Sequence, residues 1–368
     1  MHFIVTDYGV VAGSQKLQTA QIQAVLDRCR DKGGKVIFPA GEYVFSSLYV
    51  YSDTEIYLCK GAKLIGSDEI SDYFEFDKLN TVTSYHDFIV LDPQVKHYGF
   101  TAKGYTLSMF TSVSEKNISF VCEDDSLIDG KHCFNAEGDQ NYRGPHTIWM
   151  TDCKNVRFEK VVIERSGNFA FQLDGCKGVT LQKVAVRRGD DGIHLNASED
   201  IVIEDSSFET GDDSIAGLNV VNLLVTNCYV NSACDCFRLG GKNIRIENSR
   251  MIGPGKYPHR VSTAKGKNHE LPDEEGRLNT NVMFCYFASD VYPMDSENIV
   301  FENCEIDGID RFFYDSHSFD VFQSGGIIKD LTLKNVSVKN LKLPSIVNEQ
   351  TAFYFENVTV SDKDKNII

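Results

Sequence analysis

Two Gly-Asp-Asp triplets, at 189–191 and 211–213, begin 22 residues apart (211 − 189 = 22), and each leads into a short apolar run. If 22 is a structural period, residues at that offset stack. One column then holds Asn168, Asp190, Asp212 and Cys234, and the next holds Phe169, Asp191, Asp213 and Asp235. A third holds Gln172, His194, Ala216 and Arg238, while Ile193, Leu195, Ile215, Phe237 and Leu239 point inward. Asp190, Asp191, Asp212 and Asp213 thus form a two-by-two acidic patch with Asp235 beside it. Stacked strands lie about 4.8 Å apart, so these carboxylates cannot all ionise cheaply and at least one should keep its proton. A carboxylic acid beside a carboxylate is the pair that glycoside hydrolysis needs: one protonates the leaving oxygen, the other activates water. His194, Arg238 and Gln172 flank the patch as candidate binders of sugar hydroxyls. Clustered carboxylates also suit calcium, and a single turn Asp often only bonds local amides. Two triplets in register favour catalysis over both, and no metal or cofactor is expected.

The elements that must hold this patch are written in a repeat. NVRFEKVVI from Asn155, GVTLQKVAV from Gly178, DIVIEDSSF from Asp200, NLLVTNCYV from Asn222 and NIRIENSRM from Asn243 start 21 to 23 residues apart. KNISFVCED from Lys116 is an earlier copy, and NIVFENCEI, DLTLKNVSV and AFYFENVTV resume the phrase from Asn298, Asp330 and Ala352. Each unit alternates with period two, the signature of strands with one inward face. Short strands at a period near 22 predict a solenoid. The Leu pattern and helical segment of a leucine-rich repeat are absent, which leaves an all-β parallel β-helix, one domain over 1–368. A cap is expected over about 1–35. Ile22, Val25, Leu26 and Cys29 make one helical stripe, with Thr19 as N-cap and Gly33 as C′ residue. The repeat lapses at about 253–297, where Gly253, Pro254, Gly255 and Pro258 break it. A loop folded over the working face is expected there.

The formal net charge of −16 argues against nucleic acid, and no run is long enough to span a membrane. Eleven cysteines are scattered without a zinc-knuckle spacing. The start, MHFIVTDYGVV, lacks a basic and then apolar leader. A cytoplasmic setting is expected, or secretion if a leader has been trimmed away. The expected partner is an oligosaccharide or glycan, with the oligomeric state left open.

Longer stretches carry a family resemblance. DYGVVAGSQKLQTAQIQAVLDRC and GGKVIFPAGEYVFSSLYVYSDTEIYLCKGAKLIGS, then SLIDGKHCFN and RGPHTIWMTDCKNVRFEKVVIERSGNFAFQL, resemble the polygalacturonase family of glycoside hydrolases (family 28). That resemblance implies a right-handed parallel β-helix and hydrolysis with inversion at the anomeric carbon. The family's N-T-D and G-D-D motifs fall on 189–192 and 211–214. By that match Asp212 resembles the general acid, and Asp191 and Asp213 hold the attacking water. The family's G-H-G reads ACDCFRLGG here, with Cys234 or Asp235 in the place of the His. Its R-I-K motif has no clear counterpart, and Arg260 in PHRVS lies at about its distance. Losing that His and the Arg/Lys pair removes fixed positive charge, so a neutral or weakly charged glycan, cut from one end, is expected.

Two other classes compete. The same scaffold carries lyases, glycosyl-transferring and epimerising enzymes, of which a lyase would need a base near a sugar C5 and usually a cation for the uronate. A non-catalytic carbohydrate-binding solenoid would show exposed aromatics along one face. Trp149 is expected to be buried, whereas Tyr314, Asp315 and His317, in FFYDSHSF, are cleft candidates.

Overall fold

The recurring Asn, Asp or Gly that opens each repeat unit has a backbone reason. Asn155, Gly178, Asp200, Asn222, Asn243 and Asn298 all adopt positive φ, between 55° and 68°, the left-handed region that Gly, Asn and Asp enter most readily. Their side chains then bond along the stack: Asn222 donates to Asp200, Asn243 to Asn222, and Asn298 to Asn243. The turn residue is therefore both a bend and a rung.

Between these turns the alternating segments form parallel strands. The computed structural model describes residues 1–76, 105–260, 277–288, 294–315, 326–361 and 367. It is a right-handed parallel β-helix. Its strands make one sheet of 19 and one of 11. The larger sheet covers two faces, joined where Ile215–Thr226 and Asp235–Glu247 run through the corner between them. One coil runs from Phe171–Asp174 on the second face to Lys177–Gln182 on the first, then to Ala185–Arg187 in the smaller sheet. The chain then passes through 189–191 into Ile193–Asn196, the next rung of the second face. Phe171 pairs with Ile193, Ile193 with Ile215, and Ile215 with Phe237, each 22 residues on. The interior is a continuous apolar column, and Ile193, Leu195, Ile215, Phe237 and Leu239 are all fully buried in it.

The stack needs glycine where the second face turns into the first. Gly217 has φ 155°, and a Cβ on it would collide with the Leu195 carbonyl of the coil below. Backbone, unlike a side-chain tip, cannot step aside. Gly217→Ala is therefore expected to cost about 2 kcal/mol or more, read as a Tm lower by about 4 °C or more.

The N-terminal helix forms over Thr19–Leu26 and buries Ile22, Val25 and Leu26, with Cys29 in the following 3-10 turn. Its N-cap is Gln18 rather than Thr19. The Thr19 hydroxyl instead accepts the Ser46 N–H at 2.9 Å, tying the helix to the first coils. Gly33 ends the segment as expected, at φ 64° with its N–H on the Cys29 carbonyl at 2.8 Å. The break at 253–297 is shorter than the sequence implied. Val282–Tyr286 is a rung of the second face, pairing with Asp235–Leu239 below and Arg311–Tyr314 above. The repeat phrase spans the first face and the smaller sheet, so a rung on the second face alone escapes it. All eleven cysteines are free thiols. Among the described residues no helix is long and apolar enough to cross a membrane.

Candidate active site

The Gly-Asp-Asp triplets occupy the turns that lead into the second face. The backbone fixes them coil by coil: the Asp191 carbonyl accepts from Ala170, the Asp213 carbonyl from Gly192, and the Asp235 carbonyl from Ser214. Gly192 and Gly211 allow this closeness, since a Cβ on either would press on the neighbouring coil's backbone. Asp191, Asp212 and Asp213 present one oxygen each within 4.8 Å of one another. The column Gln172, His194, Ala216 and Arg238 is also realised, pair by pair.

These carboxyls differ in charge state because their neighbours differ. Burial pushes Asp213 up to about 8, the Asp212 and Asp191 charges add to that, and Arg238, 3.6 Å from its Oδ2, offsets only part. Burial, reinforced by Asp212, likewise raises Asp191 well above the ordinary carboxyl range. Burial would raise Asp212 too, but His259, Arg143 and Arg238 outweigh it and hold that carboxyl well below its usual value. Arg143 Nη2 donates to Asp212 Oδ2 at 2.6 Å, and His259 Nε2 lies 3.4 Å from Oδ1. In the free cleft Asp212 is ionised, and a proton resides on the Asp191–Asp213 pair.

The other expected residues separate into three groups. Asp235 and Arg238 join the cluster. The Asp235 N–H donates to Asp213 Oδ1 at 3.2 Å, and Arg238 stacks over Phe287 while staying 27% exposed. His194 braces it: Nδ1 is 2.8 Å from Asp191 Oδ2 and the ring stacks on Phe169 at 4.8 Å. Burial drops its pKa to about 3, so the imidazole is neutral and this contact is a hydrogen bond, not an ion pair. Asp190, Gln172 and Arg260 stand in the wall instead. Asp190 Oδ1 accepts from the Tyr142 hydroxyl at 2.6 Å, and Gln172 is fully buried with its amide on Asp174. Arg260 is buried over the Tyr142 ring, its N–H on the Gly211 carbonyl. All three, expected as candidate substrate binders, are buried in these contacts. The stacking argument places a residue in a row but does not show its partners, and here Tyr142 meets both Asp190 and Arg260. Trp149 is buried as expected, donating to Asp174. Asp315 is buried and Tyr314 half-buried, whereas His317 lies outside the described residues.

Two residues at the centre escaped the sequence reading. Arg143 stands in the RGPH stretch, 69 positions from its partner Asp212. His259 stands in PHR, beside the Arg260 that was singled out. Both come from irregular segments with no period to place them. Among the described residues of the loop, the His259 N–H bonds the Arg277 carbonyl, and Lys256 reaches Glu209. The expected shortage of positive charge is also corrected, since Arg143 bears on Asp212 and Arg238 on Asp213.

Comparison with known proteins agrees with this architecture. Residues 91–236 match the family described as glycosyl hydrolases family 28. Over that stretch the chain is similar to the polygalacturonase family. An exo-poly-alpha-D-galacturonosidase of Dickeya chrysanthemi is 22% identical over 246 residues, 57% of this chain and 41% of that protein. The chain thus spans about two fifths of that curated relative's length. The polygalacturonase-like fold superposes on a family 28 exopolygalacturonase of Yersinia enterocolitica with TM-score 0.65 at 14% identity, covering 100% of this chain and 79% of that one. A hyperthermoactive exopolygalacturonase of Thermotoga maritima gives 0.64 at 13% identity, covering 98% and 91%. In this polygalacturonase-like chain neither Cys234 nor Asp235 provides an imidazole, and it is His259, from the loop, that stands beside Asp212.

Proposed function

We propose that this protein is a glycosidase that cleaves an oligosaccharide from one end, with Asp191, Asp212 and Asp213 as its acid–base group and Asp235 and Arg238 beside the bound sugar. The observation that carries this reading is the in-register carboxyl cluster, one member held ionised and another held protonated to about 8. Unequal carboxyls within reach of one another are what protonation of a leaving oxygen and activation of water require. The resemblance gives Asp212 the acid's part. The free cleft stores the proton on its neighbours, so the three titrate as one group and the proton must reach Asp212 after sugar binds.

A cavity of about 350 Å³ adjoins the cluster, lined by Asp235, Arg238, Asn281, Cys285, Arg311 and Tyr314 among others. That volume suits a sugar unit or two, in keeping with exo action. Its two arginines admit a carboxylate on the sugar as well as neutral hydroxyls, so a substrate screen should contain oligogalacturonides beside neutral oligosaccharides and aryl glycosides.

Inversion is proposed from the resemblance. Oxygens within 4.8 Å are closer than the roughly 6.5–9.5 Å that separates a two-carboxylate inverting pair, and a third acid changes what that spacing means. Proton NMR of the first-formed product settles the course. Inverted anomer is expected, and retained anomer would assign a nucleophile to the cluster and overturn the proposal.

A further inference from the structure

Cys234 has no part in the hydrolytic reading, yet its thiol lies at the centre of the cleft. Its Sγ, an Asp212 oxygen and a His259 ring nitrogen all lie within 4.8 Å of one another. The same thiol forms a second such set with Asp213 and Asp235. We propose that Asp212, Cys234 and His259 form a site for a zinc-class divalent cation in the cleft, with an Asp235 oxygen within 4.8 Å of the same thiol.

The donor chemistry selects the ion. Calcium and magnesium take oxygen ligands, whereas a thiolate, an imidazole and a carboxylate together are a zinc donor set. The distances agree. Asp212 Oδ1 and His259 Nε2 are 3.4 Å apart, close to the roughly 3.3 Å edge of a tetrahedron whose ligands lie about 2.0 Å from the metal. The three donors come from separate segments, and the scaffold fixes each one. Ser232 Oγ accepts the Cys234 N–H at 2.7 Å and donates to the Asp212 carbonyl at 2.6 Å, so one hydroxyl ties two ligands together. The His259 N–H is held by the Arg277 carbonyl at 2.7 Å, and Asn281 Nδ2 lies 3.5 Å from Sγ. Such outer contacts orient metal ligands.

An independent observation points to a missing occupant. Asp235 is only 7% exposed, and its Oδ1 has no hydrogen-bond partner. A buried carboxyl oxygen left unsatisfied is costly, and a cation on the Cys234 thiol, itself within 4.8 Å of an Asp235 oxygen, would bring polar partners close to that side chain. A cation also relieves the crowding of the acidic groups Asp191, Asp212, Asp213 and Asp235, which lie close together here.

Occupancy has a consequence for the proposed reaction. Asp212 cannot both bind the metal and exchange protons with a leaving group, so zinc would inhibit turnover. The site itself does not depend on that reaction, and the test is made on binding.

Cobalt(II) is the probe, titrated into the reduced, chelator-free full-length chain. Wild type should take up one equivalent, with the visible bands of tetrahedral cobalt and a near-ultraviolet thiolate-to-cobalt band, and zinc should displace both. Cys234→Ser should lose the thiolate band. His259→Ala should weaken uptake by at least about tenfold. Circular dichroism establishes that each variant is folded, with Cys234→Ala replacing Cys234→Ser and His259→Gln replacing His259→Ala where either fails. Absence of saturable uptake by wild type at millimolar cobalt overturns the site. So does a thiolate band unchanged in Cys234→Ser, since the metal would then sit on another thiol. Uptake together with no turnover by the metal-free protein on any glycan leaves the site standing and sinks the glycosidase reading, while turnover by the metal-free protein without uptake does the reverse.

Discussion

Asp212→Asn is expected to lower turnover by about 10²–10⁴-fold, the range a positioned acid–base group contributes, while the protein stays folded. The substitution keeps the side chain's size and an oxygen that can still accept from Arg143. Arg143 also keeps Asn168 at 3.3 Å and Asp139 at 3.7 Å, so its buried charge is not stranded. What is lost is the ability to carry a proton. The loss should therefore fall on kcat with little change in KM, the mark of an interaction made only in the transition state. Measurement uses whichever glycan the screen identifies, with Tm and circular dichroism as controls for folding. Turnover within threefold or so of wild type would remove Asp212 from the acid–base group.

That prediction was within reach of the sequence because period and chemistry coincide in the triplets. A coil of 22 residues puts Asp191 below Asp213, and the pairing of Ile193 with Ile215 realises it. The strand faces were legible for the same reason, since Ile193, Leu195 and Phe237 alternate with polar residues and are all buried. The turns were legible in outline, because Asn and Asp recur where φ is positive. Periodicity fails where the chain leaves the coil. His259 reaches Asp212 from a loop whose position is set by backbone bonds to Arg277 and Gly211, neither of which has a signature in the residues. Arg143 reaches the same carboxylate from a turn three coils away. Gln172 and Asp190 failed in the opposite way. Their rows were right, but Asp190 accepts from Tyr142, in the irregular stretch before the His146–Thr151 strand, and Gln172 bonds Asp174 in its own rung, partners that a two-residue alternation does not show.

Asp213→Asn should separate the cleft's cost from its use. Asp213 carries a pKa of about 8 in the folded chain against an ordinary 3.8. Between those values the native state holds a proton that the unfolded chain has released. Stability then falls as pH rises, because the unfolded state binds fewer protons there. Asp212 acts in the opposite sense: its lowered pKa contributes stability above about pH 4, which is lost on acidification. Asparagine at 213 mimics the protonated form at every pH, so the downward slope of Tm between about pH 4 and pH 8 should flatten. At pH 8 the variant should melt at least about 2 °C above wild type, and at pH 4 the two should nearly coincide. Activity should fall by about 10²-fold or more, since the amide neither stores a proton nor takes one from water. A wild-type slope of Tm against pH in the variant would show that Asp213 is not the group held protonated. Paired gain in stability and loss of turnover would show that the acidic cluster is kept for chemistry, because the fold is better off without its charge.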